Sequence, residues 1–280
     1  MDVRPLSSMM SIIQNVDVAE RIAYRVSRGE SAEESAEERG CAVARWTRAL
    51  RALPFRRGRV LDLGCAFGFA TRMLTRAGYH AVGVDASPAY IARARRADPR
   101  GEYLLANASQ TGLPSASFDG VIFLDVLEHL PDERGAIDEI ARVLKPGGAL
   151  AVSAPHRGLL WRLDSLNLYA ALVRATRRGL FPPEIAATGI HRHYALDDLR
   201  ALLGDRFEIR RVTRTGLGVA ELLNLPLLVL LRWVIQWDTL YQIVAFAYYT
   251  VYLAEDVVPL GPLGYHLFVL AVRRDDGARS

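Results

Sequence analysis

Lysine is almost missing from this chain: Lys145 is the only one among 35 basic residues, and the other 34 are arginines. Such a bias tracks nucleotide composition better than it tracks a nucleic-acid surface, and 31 acidic residues reduce the net charge to +4. No helix-turn-helix or RNA-binding signature accompanies the arginines, so no nucleic-acid partner is expected. Cysteine is nearly as scarce. Cys41 and Cys65 cannot form a disulfide framework or a four-thiolate zinc site, which points to a reducing, cytoplasmic compartment. The opening stretch MDVRPLSSMMSIIQNVDV has no long apolar run and no cleavage pattern, so no secretory signal is expected. With 51% apolar and 24% charged residues in 280, disorder, collagen and coiled coil are excluded.

The hydrophobic pattern changes period along the chain. Residues 17–58 are charged and helical in spacing, with Ser31 and Glu34 at capping-box distance. From there short apolar runs alternate with helical segments. The runs are RVLDL (59–63), AVGVD (81–85), EYLLAN (102–107), FDGVIFLD (118–125) and ALAVSAP (149–155). Helical spacing follows in FATRMLTRAG (69–78), after Ser87-Pro88, and around 132–144, which Lys145-Pro146-Gly147-Gly148 closes. This alternation predicts βαβ units and a parallel sheet covered on both faces. LDDLRALLG (196–204) continues as a helix, FEIRRVTR (207–214) as a sixth strand and YHLFVLAVRR (265–274) as a last strand.

Glycines 64 and 68 bracket a turn after the first run, Asp62-Leu63-Gly64-Cys65-Ala66-Phe67-Gly68, and Asp85 ends the second. Ligands of doubly wound sheets bind outside the carboxyl ends of the strands. A carboxylate there accepts both hydroxyls of a ribose. The dinucleotide fingerprint G-x-G-x-x-G is absent, because Gly64-x-Ala66-x-Gly68 has the wrong spacing. Asp62 beside the turn repels a diphosphate and attracts a cation. The sign of charge therefore favours a cationic nucleoside such as S-adenosylmethionine over NAD.

VLDLGCAFG resembles the first motif of the class I S-adenosylmethionine-dependent methyltransferases of small-molecule type. VGVDAS (82–87), LPSASFDGVIFLDVLEHLPD (113–132) and VLKPGG (143–148) resemble later motifs in the family's order. The resemblance implies a Rossmann-like, doubly wound, seven-stranded α/β sheet with an antiparallel last strand. It places Asp62, Gly64, Cys65, Ala66, Phe67 and Gly68 around the methionine part and the ribose. Asp85 would hold the ribose hydroxyls, Ala86 would pack near the adenine, and Asn107 and Ala108 would lie at its edge. Leu124 and Asp125 would sit near the methionine part. The family usually has glycine at Ala66, where a positive φ would cost alanine about 1 kcal/mol, and aspartate at Asn107, whose amide oxygen can still accept from the adenine amino group.

A hydroxyl acceptor must lose a proton, so a base is sought among six histidines. His129 and His156 follow the fourth and fifth runs on the ligand side, and are the first and second candidates. Each could equally cap a local turn. In His191-Arg192-His193 the two histidines diverge on a strand and converge poorly on a helix, so no metal is expected. The pair is read as ordering the start of the next helix.

Two interruptions, 156–195 and 216–262, leave the same rim of the expected sheet. They are read as a cap over the acceptor, with 1–57 as an N-terminal helical lid on a 58–280 domain. Residues 216–262 carry only five charged residues in 47, and TLYQIVAFAYYTVYLA (239–254) is uncharged. A helix apolar all round must be buried in protein or touch lipid. A soluble cap, a homodimer interface and contact with the inner face of a membrane all satisfy this. In each case the acceptor carries an apolar part, as a lipid or lipid-linked small molecule does. The expectation is methyl transfer from S-adenosylmethionine, most simply to oxygen. Its rivals are a NAD-dependent oxidoreductase and a cofactor-binding partner protein whose chemistry has decayed.

Overall fold

The computed structural model describes residues 46–163, 192–218 and 258–275. Most of the expected lid and the bulk of both interruptions lie outside them. The apolar runs are strands: β1 Arg59–Leu63, β2 His80–Asp85, β3 Glu102–Leu105, β4 Phe118–Leu124 and β5 Leu144–Pro155. The last two are β6 Phe207–Thr215 and β7 His266–Arg273. They form one seven-stranded sheet in the order β3-β2-β1-β4-β5-β7-β6. Strands β1 to β5 pair in parallel, and β7 runs antiparallel to both β5 and β6. The strand order reverses between β1 and β4, so a crevice opens at their carboxyl ends.

Strands such as β1 and β5 are apolar on both sides because helices cover both faces. One side receives α1 (Phe69–Arg76), α2 (Pro88–Ala97) and the helical residues 46–52. Ala49, Ala52 and Leu74 pack there with Val60, Ile122 and Ala151, and Ile91 and Ala94 pack with Tyr103. The other side receives α3 (Glu133–Val143) and α4 (Leu196–Leu203). Ile137, Ile140 and Leu199 pack there with Leu61, Val121 and Val152. The start of α2 is as expected: Pro88 occupies the first turn and the Ser87 hydroxyl accepts from Tyr90 N at 3.3 Å.

Two boundaries differ from the pattern. Lys145-Pro146-Gly147-Gly148, expected to close a helix, lies inside β5. Its pairing with β4 jumps from Phe118↔Leu144 to Gly120↔Ala149. The extra residues bulge out and are tied down by Lys145 Nζ, 2.6 Å from Asp119 Oδ1. Strand β3 stops at Leu105 instead of 107, because Asn107 opens a turn. Its Oδ1 accepts from Ser109 N and Ser109 Oγ, each at 3.0 Å.

Candidate functional site

The turn after β1 is built on left-handed backbone. Gly64, Ala66 and Gly68 have φ of 80°, 45° and 73°. Gly64 N and Cys65 N donate to the Val84 carbonyl at 2.7 and 3.0 Å, which folds the turn over the end of β2. Ala66 therefore does need the conformation that glycine adopts freely, and pays for its Cβ. Glycine at 64 answers to packing: a Cβ there would lie 2.3 Å from Val126 Cγ2, just beyond β4. The turn after β1 and the loop after β4 thus touch, closing one corner of the crevice.

Asp85 fastens this corner. Its Oδ2 accepts from Ala66 N at 2.9 Å and its Oδ1 from Ser87 N at 2.8 Å. Each oxygen retains a lone pair, so the oriented carboxylate can still accept from a diol. Ala86 beside it is exposed, and the Phe67 and Tyr90 rings meet edge to face with centroids 4.5 Å apart. The Arg93 guanidinium stacks on the Phe67 ring at 4.2 Å. Tyr90 and Arg93 had no signal in the sequence, because only the fold of α2 brings them to the turn.

Asp62 is not on the wall of the crevice. It lies beneath the turn, 5% exposed, and accepts from Thr71 Oγ1 at 2.6 Å. Burial pushes its carboxyl up to about 6, against the Thr71 hydrogen bond that favours the charged form. Sequence reasoning misses Thr71, although its place in the first turn of the following helix is a usable signal. Cys65 is buried, and burial followed by the charges of Asp62 and Asp85 pushes its thiol up. That makes it a packing residue rather than a nucleophile.

The remaining positions frame the crevice. Ala106 N donates to the Asp85 carbonyl at 3.1 Å, bringing Asn107 and the buried Ala108 alongside. Both hydrogen bonds to Asn107 Oδ1 are local, so the oxygen expected to accept from an adenine amino group is already engaged, and the amide NH2 is the group left for a ligand. Leu124 is half-buried at the end of β4. Asp125 follows with φ of 54°, and its Oδ1 accepts from Ser153 Oγ at 3.0 Å. A non-glycine residue held left-handed at a strand end marks a site that the surroundings over-determine.

The two histidines sit on different elements. His129 ends a short 3₁₀ turn, Leu127–His129, with 40% of its side chain exposed and Nε2 4.0 Å from Glu128 Oε1. His156 lies just past β5 and is buried, with Nδ1 2.7 Å from the Gly264 carbonyl oxygen. A carbonyl only accepts, so Nδ1 carries the proton and Nε2 holds the lone pair. Burial is the main cause that lowers its pKa, which keeps the ring neutral. His193 is buried against Tyr265, with Nε2 3.3 Å from the hydroxyl, while His191 lies outside the described residues. Among the described residues no three side chains converge as metal ligands.

Residues 61–152 match the family model described as a methyltransferase domain. A ubiquinone biosynthesis O-methyltransferase of Xylella fastidiosa is 31% identical over 179 residues, covering 56% of this chain and 73% of that protein. The chain belongs to the class I S-adenosylmethionine-dependent methyltransferases. A protein of Mycolicibacterium smegmatis, named a probable S-adenosylmethionine-dependent methyltransferase, is 36% identical over 98 residues. That match covers 35% of this chain and 38% of the relative, so the chain spans little more than a third of it. A solved S-adenosylmethionine-dependent methyltransferase of Mesorhizobium loti superposes with a TM-score of 0.54 at 22% identity. It covers 84% of this chain and all of that one, and shows the shared fold.

The residues of this methyltransferase fit the family's cofactor. Asp85, held by Ala66 N and Ser87 N, keeps acceptor capacity that would suit a ribose diol. Asp62 and Asp85 supply the negative field that suits a sulfonium and an ammonium.

Proposed function

We propose that this protein transfers the methyl group of S-adenosylmethionine to an oxygen of a small molecule that is lipophilic or lipid-linked. When bound, the cofactor supplies a methyl carbon already activated by positive sulfur. Asp85 binds the ribose hydroxyls, and Gly64, Cys65, Ala66, Phe67 and Gly68 surround the methionine part and the ribose. Ala86, Asn107 and Ala108 border the adenine, and Leu124 and Asp125 border the methionine part. Asp62 acts from below the turn through its charge. The enzyme's work is alignment and exclusion of water. His129, part-exposed beside the crevice, is the first candidate to accept the acceptor's proton, and His156, with its lone pair on Nε2, is the second.

The single observation that carries this reading is Asp85, tied by both oxygens to the turns beside it. The Xylella fastidiosa relative is named an O-methyltransferase of ubiquinone biosynthesis, which supports oxygen as the acceptor atom. The low charge of 216–262 supports an apolar acceptor and peripheral membrane contact, although most of that segment lies outside the described residues. No helix among the described residues is long and apolar enough to cross a membrane.

Calorimetry with S-adenosylhomocysteine and NADH tests the cofactor: the first should bind and the second should not. Binding of NADH alone overturns the proposal. Mass spectrometry of cell lipids with and without the protein tests the acceptor, the expected difference being one added methyl group. A species altered by two hydrogens instead points to the oxidoreductase.

A further inference from the structure

Tyr194 joins two parts of the crevice that are distant in sequence. Its backbone is laced to the end of β5: Tyr194 N donates to the Pro155 carbonyl at 2.8 Å, and Arg157 N donates to the Tyr194 carbonyl at 3.1 Å. These bonds flank His156. Its side chain reaches the other way, to the turn after β4. The buried hydroxyl is 3.2 Å from the Leu127 carbonyl oxygen and 2.9 Å from Glu133 Oε1, and can donate to either. Burial, then the hydrogen bond to Glu133, pushes this phenol up, so it stays a donor.

Arg192 completes the clamp. Its Nη2 donates to the Leu130 carbonyl at 2.6 Å, and its Nη1 pairs with Glu133 Oε1. The carbonyls of Leu127 and Leu130 bracket His129, and side chains two residues apart hold both. Glu133, the first residue of α3, gathers both donors. Phenylalanine at 194 would fill the same space. A buried polar network specifies geometry more than it adds stability.

We infer that Tyr194, supported by Arg192 and Glu133, is a positioning residue that fixes the turn carrying His129 relative to the strand end carrying His156. The inference rests on the reading that both histidines flank the acceptor. It also makes the segment returning from the first interruption part of the site, rather than a mere start for α4.

The test compares wild type with Tyr194→Phe by nitrogen-15 NMR of the histidine rings. His80, 3.4 Å from Glu102 on β3, serves as the internal control. The ring signals of His129 and His156 should shift or broaden in the variant while those of His80 stay in place. S-adenosylhomocysteine, titrated by calorimetry, should bind about 2- to 30-fold more weakly, the range for mutations that couple through a contact network. Arg192→Gln should act in the same direction, and Arg192→Lys should restore part of the loss. If Tyr194→Phe does not fold, Arg192→Gln carries the same readouts, since that side chain is 41% exposed. Unchanged His129 and His156 signals together with unchanged affinity overturn the inference. Failure of the wild type to bind S-adenosylhomocysteine would overturn the cofactor reading instead, and leaves the NMR comparison to decide the clamp.

Discussion

Replacing Asp62 with asparagine should make the protein more stable at neutral pH and weaken its hold on a cationic ligand. The carboxyl is 5% exposed and is pushed from 3.8 to about 6. In the folded state it therefore keeps its proton to higher pH than in the unfolded chain. Between those two values the folded state binds more protons, so stability falls as pH rises. At 1.36 kcal/mol per pKa unit, the charged form costs about 3 kcal/mol by pH 7, of which about 2 kcal/mol develops between pH 4.5 and 7.5. Asparagine keeps an oxygen for Thr71 and carries no charge. Urea denaturation of both proteins at pH 4.5 and 7.5 isolates the effect of this carboxyl, because every other titrating group cancels in the difference. The variant should gain about 2 kcal/mol on wild type across that interval. Its affinity for S-adenosylmethionine should fall more than that for S-adenosylhomocysteine, which lacks the sulfonium. An identical pH dependence in the two proteins would refute the buried-charge argument, and an equal loss for both ligands would refute the electrostatic role.

Asp85→Ala should leave the fold intact and weaken S-adenosylhomocysteine binding at least about tenfold, since hydrogen bonds to a charged group contribute about 1.5–3 kcal/mol each; calorimetry with unchanged affinity counts against the ribose role. Ala66→Gly should raise stability by about 0.5 kcal/mol, the relief of a left-handed alanine offset in part by the freer unfolded chain; a lower urea midpoint would contradict the strain. Glu139, hydrogen-bonded by Arg142 and Thr111, is pulled down from 4.5 to about 2, chiefly by Arg142. Its contribution is present above pH 4.5 and is lost as pH falls through 2, so the stability gap between wild type and Glu139→Gln should shrink along that acid limb. A gap that stays constant from pH 6 to pH 2 would show that the carboxylate's charge plays no part.

By itself the sequence determined the alternation of strands and helices, the turn at 64–68 and the carboxylate at Asp85. These depend on residues close together in the chain: the period of the apolar runs, Pro88 behind Ser87, and glycines spaced for one tight turn. The left-handed backbone at Ala66 was legible for the same reason. Tertiary structure alone decided what lies next to what. Asp62 turned out to lie under the turn because Thr71 on α1 captures it. Gly64 is required by Val126, which belongs to another strand's loop. The Lys145–Gly148 stretch became a bulge because β4 sets the register of β5. The expected acceptor oxygen of Asn107 was taken by Ser109, a neighbour whose hydroxyl gives no periodic signal. Tyr194 and Arg192 meet Glu133 across about sixty residues of chain. Such contacts arise only when the sheet has stacked its helices, and no local pattern encodes which side chains then face each other.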